Sequence, residues 1–146
     1  MIIGNKKSTS DTLTRVSHEE KSCLSKQTFR TILNDESQAA FQGKIRVQVG
    51  ADESNADMSS KSLLLSEKAM ANAKPELEIL ADDVKCSHGV TVGNFDPEQI
   101  FYLCSRGISY KDARYLLTSA FSKVVTQDIP LSLSQVAKEF IGITNA

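Results

Sequence analysis

Long apolar runs are missing from this 146-residue sequence: Met1-Ile2-Ile3-Gly4 gives way at once to polar residues, and no stretch of about 18 apolar residues follows. A soluble, cytoplasmic protein with no membrane partner is therefore expected. A surplus of either charge is missing too. The 17 Lys and Arg residues stand against 18 Asp and Glu, a net charge of -1, which gives no electrostatic footprint for a nucleic acid or an anionic membrane. The expected partners are proteins. Cys23, Cys86 and Cys104 are an odd number at wide spacings with no C-x-x-C pair, which argues against a disulfide framework, a zinc site or thioredoxin chemistry. Neither G-x-G-x-x-G nor G-x-x-x-x-G-K-[ST] occurs, so no nucleotide is expected on this chain. The nucleophile-elbow pattern G-x-S-x-G is also missing, which leaves hydrolase chemistry of that class unsupported.

What is present falls into two parts, within a length that suits one compact domain or two small units. Up to about Asn94 the hydropathy alternates with period two: Phe41, Ile45, Val47 and Val49 share one side and Gln42, Lys44, Arg46 and Gln48 the other. Further strands are expected over Thr12–His18, Thr28–Leu33, Ser62–Ser66, Leu77–Ala81 and Val84–Val92, separated by polar turns such as Asn34-Asp35-Glu36 and Asp82-Asp83. No helix long enough for a βαβ crossover lies between them, so an all-β sandwich or a β-solenoid remains, and periodicity does not separate these two. Gly50–Ser60, rich in Asp, Ser, Asn and Ala, has little apolar content to bury and reads as a long loop.

From Asp96 the period becomes helical. Asp96-Pro97-Glu98-Gln99 places a capping oxygen before a proline at the first helical position, and Gly107 supplies a left-handed stop. Ser109-Tyr110-Lys111-Asp112 resembles a second capping box. Ala113, Leu116, Leu117, Ala120, Phe121 and Val124 then recur on one helical face. A third short helix is expected after Pro130, with Val136, Phe140 and Ile141 on one side. Two helices around a glycine turn fit a DNA-reading motif in outline. From Asp96 to Asp128, however, the four acidic residues balance the four basic ones, and a neutral face is a poor DNA reader.

The stretch richest in chemistry is Lys74-Pro75-Glu76-Leu77-Glu78-Ile79-Leu80-Ala81-Asp82-Asp83-Val84-Lys85-Cys86-Ser87-His88-Gly89-Val90-Thr91-Val92-Gly93. Past the Asp82-Asp83 step, alternation puts Val84, Cys86, His88, Val90 and Val92 on one face. The Cα atoms of Cys86 and His88 are then about 7 Å apart, and a sulfur and an imidazole nitrogen at that spacing could meet one metal or cluster. The bland alternative is a buried thiol and a hydrogen-bonded core histidine. Two donors also fall short of the four that hold a cluster stably, so any cluster needs ligands from another chain.

That stretch resembles the signature of the SufB/SufD family of iron–sulfur cluster assembly scaffolds, its SufD branch more than its SufB branch. Phe101-Tyr102-Leu103-Cys104-Ser105-Arg106-Gly107-Ile108 and Asp112-Ala113-Arg114 resemble the family's F-Y-L-x-S-R-G-I and D/E-A-R stretches. His18, Ser25, Gln27, Phe29, Arg30 and Leu33 resemble its H…S-x-Q-x-[YF]-[RK]-x-x-L pattern. Cys104 departs from a usual Arg, and Glu19-Glu20 from a typical Ala-Pro. A typical SufD also has a long region before the position of Met1.

The resemblance implies a mainly β fold, with residues 1–94 a portion of a right-handed parallel β-helix and residues 95–146 a small C-terminal helical domain. It implies a non-catalytic scaffold subunit that pairs with a SufB-like subunit along the β-helix and docks a SufC-like ABC ATPase through its helices. His88, with Cys86, is implied to face a nascent iron–sulfur cluster shared with the SufB-like partner. An open solenoid end exposes backbone groups and core, so self-association of the isolated chain is expected. Two rivals stand beside this reading. One is a structural or interaction module with no cluster role. The other is a β-helix enzyme acting on a polysaccharide, for which Asp82, Asp83 and Lys85 are the candidates.

Overall fold

The computed structural model describes residues 1–127. Seven strands come first: β1 (Ile2–Gly4), β2 (Thr9–His18), β3 (Leu24–Leu33), β4 (Gln38–Val47), β5 (Asn55–Leu64), β6 (Met70–Ile79) and β7 (Lys85–Gly93). Two helices follow, α1 (Pro97–Ser105) and α2 (Tyr110–Thr126). Odd-numbered strands form one sheet in the order β1-β3-β5-β7 and even-numbered ones a second, β2-β4-β6. Every pairing is parallel, with partners 29 to 32 residues apart. The chain therefore crosses from one sheet to the other at each corner, giving a parallel β-solenoid of about 3 turns, as the resemblance implies.

Corners stack as the strands do. Ser22, Glu53 and Asp83 take left-handed conformations at equivalent corners, as Lys6 and Asp35 do at the opposite ones. Such backbone is strained for these residue types and is retained where neighbouring turns support it. The Lys6 amide donates to Asp35 Oδ2 at 2.8 Å, Ser22 Oγ to Glu53 Oε2 at 3.1 Å, and the Asp82 amide to Asp52 Oδ1 at 3.2 Å. Each bond ties one turn to the next.

The interior is narrow, and parallel register stacks like positions into columns. Phe41, Ile45 and Val47 of β4 face Ala56 and Met58 of β5, with Phe29, Leu77, Val84 and Cys86 packed around them. Gly43 shares that inner row for lack of room: a Cβ there would lie 2.5 Å from Met58 Sδ and 2.7 Å from Phe41 Cζ.

Two strand expectations are corrected. The presumed loop at Gly50–Ser60 holds a corner and then the first half of β5, where Ala56, Met58 and Ser60 are buried. Small side chains suffice where the facing wall supplies Phe41. Val49 does not continue the β4 row. The strand ends at Val47, Gly50 turns at φ +82, and Val49 is 78% exposed.

The helix limits follow their capping chemistry. Asp96 Oδ1 accepts the Glu98 amide at 2.9 Å, Pro97 opens α1, and Gly107 at φ +85 stops the chain after it. Ser109 Oγ accepts the Asp112 amide at 3.1 Å at the start of α2. The buried face of α2 is rotated from the expected one. Ala113, Thr118 and Ser122 are buried and Phe121 packs with Ile32, Leu63 and Leu65, while Leu116 and Val124 are exposed. Small residues let the helix lie close to the outer face of the β3–β5 sheet. Thr118 and Ser122 hide their hydroxyls by donating to Arg114 O and Ser119 O of their own helix, at 2.9 and 2.8 Å. The third helix, expected after Pro130 with Val136, Phe140 and Ile141, lies outside the described residues.

Candidate functional site

Strand β7 pairs with β5 along one edge and, among the described residues, with no strand along the other. Its register sets Cys86 beside Ala56, His88 beside Met58, Val90 beside Ser60 and Val92 beside Ser62. All four neighbours are buried, so Cys86 and His88 lie on the same inward-facing row, as the alternation predicts. On the opposite face, Ser87 Oγ donates to Asp57 Oδ1 at 2.6 Å and fixes the strand against β5.

The two candidate ligands differ in environment. Cys86 is half-buried and packs on the Phe41–Met58 core cluster. Burial pushes its thiol above the ordinary value, opposed by a backbone hydrogen bond from Ala56. His88 is exposed, so a buried, hydrogen-bonded core role does not describe it. That role belongs to His18, which is 3% exposed and lies 2.7 Å through Nε2 from Ser25 Oγ. No cluster of three or more His, Cys, Asp or Glu able to hold a metal occurs among the described residues. Cys86 and His88 thus offer two donors of a type that suits iron, an incomplete set by themselves. Asp82 and Asp83 sit in the corner between β6 and β7, where they shape the turn: the Asp82 amide bonds Asp52, and Asp83 is left-handed.

A second surface lies on the helices. Phe101 is 75% exposed, and Tyr102, Tyr110 and Tyr115 are exposed with it. A groove of about 490 Å³ runs between the corner after β5 and the helices, with Leu65, Phe95, Ile100, Phe101 and Cys104 in its wall. Arg114 closes one end, stacked over Phe95 at 5.5 Å and Tyr110 at 5.7 Å and bonded to Leu65 O. Sequence reasoning met Arg114 only within a resemblance, because its partners are distant in the chain. No described helix is long and apolar enough to cross a membrane.

Solenoid coils, a Cys–His row on a terminal strand and aromatic helices laid over one sheet define a parallel β-solenoid protein whose side-chain chemistry gathers at a sheet edge. The family described as "SUF system FeS cluster assembly, SufBD core domain" matches residues 1–121, and the chain belongs to it. It is 45% identical over 117 residues to "Iron-sulfur cluster assembly protein SufD" of Escherichia coli (strain K12), covering 80% of this chain and 28% of that protein. Identity to "Iron-sulfur cluster assembly SufBD family protein slr0076" of Synechocystis is 40% over 126 residues, 86% of this chain and 28% of that one. To the SufD protein of Bacillus subtilis (strain 168) it is 32% over 143 residues, 98% of this chain and 32% of that one. The chain thus spans less than a third of the length of these relatives.

Proposed function

We propose that this chain serves as a SufD-like scaffold portion in iron–sulfur cluster assembly, non-catalytic itself, with the nascent cluster as its cargo. The observation that carries the reading is the inward Cys86–His88 row on β7, at an edge with no described strand beyond it. Unpaired backbone donors and acceptors there suit strand addition by a SufB-like subunit. Such a neighbour would bring further ligands beside the two present, and a site split between chains releases its cargo when they part. Residues 1–94 act in this reading as the β-helix portion and residues 95–146 as the part that docks a SufC-like ATPase, supported by the aromatic surface around Phe101.

The test is cluster reconstitution in a complex of this chain with its cognate SufB-like and SufC-like partners. His88→Ala should leave the complex and its melting temperature unchanged, because the side chain is exposed, while lowering the cluster absorbance. Cys86→Ala should be milder, since a partner thiolate is able to substitute. Normal cluster yield from an intact His88→Ala complex would sink the ligand role and leave a structural module.

A further inference from the structure

Helix α2 does not lie flush on the sheet along its whole length. Toward its C-terminal turns an open cleft of about 700 Å³ separates it from the strands, lined by Lys26, Thr28 and Arg30 of β3, Asp57 and Ser59 of β5, and Val124 of α2. Register sets Lys26 beside Asp57, Thr28 beside Ser59 and Arg30 beside Lys61. Alternation puts all six on the outer face of the sheet, away from the inner row of Cys86 and His88.

Arg30 is 7% exposed. Its Nη1 donates to the Phe29 carbonyl at 2.9 Å, and its guanidinium carbon sits 5.6 Å from the centre of the Phe121 ring. Among the described residues it forms no ion pair, and burial pushes its pKa down, the mark of a charge short of solvation. Among the described residues Asp57 is the one carboxylate in the wall, and its Oδ1 is engaged by Ser87 Oγ. A guanidinium removed from water in this way is stabilised by an anion placed against it. The surroundings are built for one: Lys26 lies on the same wall, and the Thr28 and Ser59 hydroxyls are able to donate.

We propose that this cleft binds a small oxyanion of the phosphate or sulfate class, gripped by Arg30 and steered by Lys26, with Thr28 and Ser59 completing the donor set. The planar guanidinium fork matches two oxygens of such an anion. Because the cleft lies on the outer face of the sheet and Cys86 and His88 on its inner row, this site is independent of the cluster role.

The probe is inorganic phosphate, titrated into the full chain at constant ionic strength with chloride as control and followed by calorimetry and by the amide signals of Thr28 and Ser59. Saturable binding is expected, lost in Arg30→Met. In Lys26→Ala it should weaken about fivefold, the scale of one exposed charge contact. Asp57→Asn should tighten it by removing the opposing carboxylate. Lys26 is exposed, so its variant will fold even if Arg30→Met does not, and the Lys26 and Asp57 variants then decide. A response equal to chloride, or equal affinity in the Lys26→Ala and wild-type chains, would overturn the proposal.

Discussion

Arg114 of α2 donates from Nη2 to the carbonyl oxygen of Leu65, 49 residues earlier, at 2.9 Å. The Leu65 amide in turn donates to Leu33 O at 2.7 Å, so one side chain ties the helix to two successive coils of the solenoid. A charged donor on a half-buried carbonyl contributes about 1.5–3 kcal/mol. Arg114→Ala should therefore loosen α2 while leaving the inner coils intact. Arg114→Lys should fail to restore it, because an ammonium lacks the flat surface that stacks on Phe95 and Tyr110. Amide exchange is the measurement: faster in α2 and unchanged in β4 is the expected result, and unchanged α2 protection would refute the clamp.

Gly43 offers a harsher test of the interior. Gly43→Ala sets a methyl 2.5 Å from Met58 Sδ, inside a cluster where Met58 is fully buried and Phe41 closes the other side. Overpacking of this kind costs about 1–3 kcal/mol, less whatever the flexible methionine gives back. A second change, Met58→Ala, should rescue part of the loss by making room. Denaturant melts of the single and double variants decide it: additive losses would mean that the two positions are not in conflict.

Cys86 gives a prediction about pH. Burial raises its thiol pKa, so the neutral form is favoured in the folded chain. That contribution is complete below the unfolded thiol value of about 8.5 and is lost as pH rises through the higher folded value. Alkylation of Cys86 by iodoacetamide at pH 8 should accordingly be slower than that of a cysteine in a short peptide. Rates measured by mass spectrometry from pH 7 to 10 should converge only at the alkaline end, and equal rates at pH 8 would contradict the assignment.

The local chemistry of the fold was legible and its long-range packing was not. Asp96-Pro97, Gly107 and Ser109 set helix limits through contacts within a few residues, and these limits hold in the structure. Alternation likewise put Cys86 and His88 on one row, but it did not tell the half-buried thiol from the exposed imidazole, which depends on where β7 falls in the sheet order. The first half of β5 escaped notice because Ala56 and Ser60 carry little hydrophobic signal, their burial being supplied by neighbours about 30 residues away, the length of one coil. The α2 face was misjudged for a related reason. A hydropathy stripe favours Leu116 and Val124, whereas close approach to a sheet favours Ala113, Thr118 and Ser122.

The separation of 29 to 32 residues across every strand pair has a kinetic consequence. Among the described strands no hairpin is available as a local nucleus, so the first pairing must close a loop that costs about 3 kcal/mol of chain entropy before any contact rewards it. Later coils meet the same cost on an existing edge, with a formed row of side chains as template. Folding should then be slow to begin and directional once begun, a zipper that advances from the first coil to form, and the edge awaiting the next coil is the part of the chain most exposed to wrong partners while it waits.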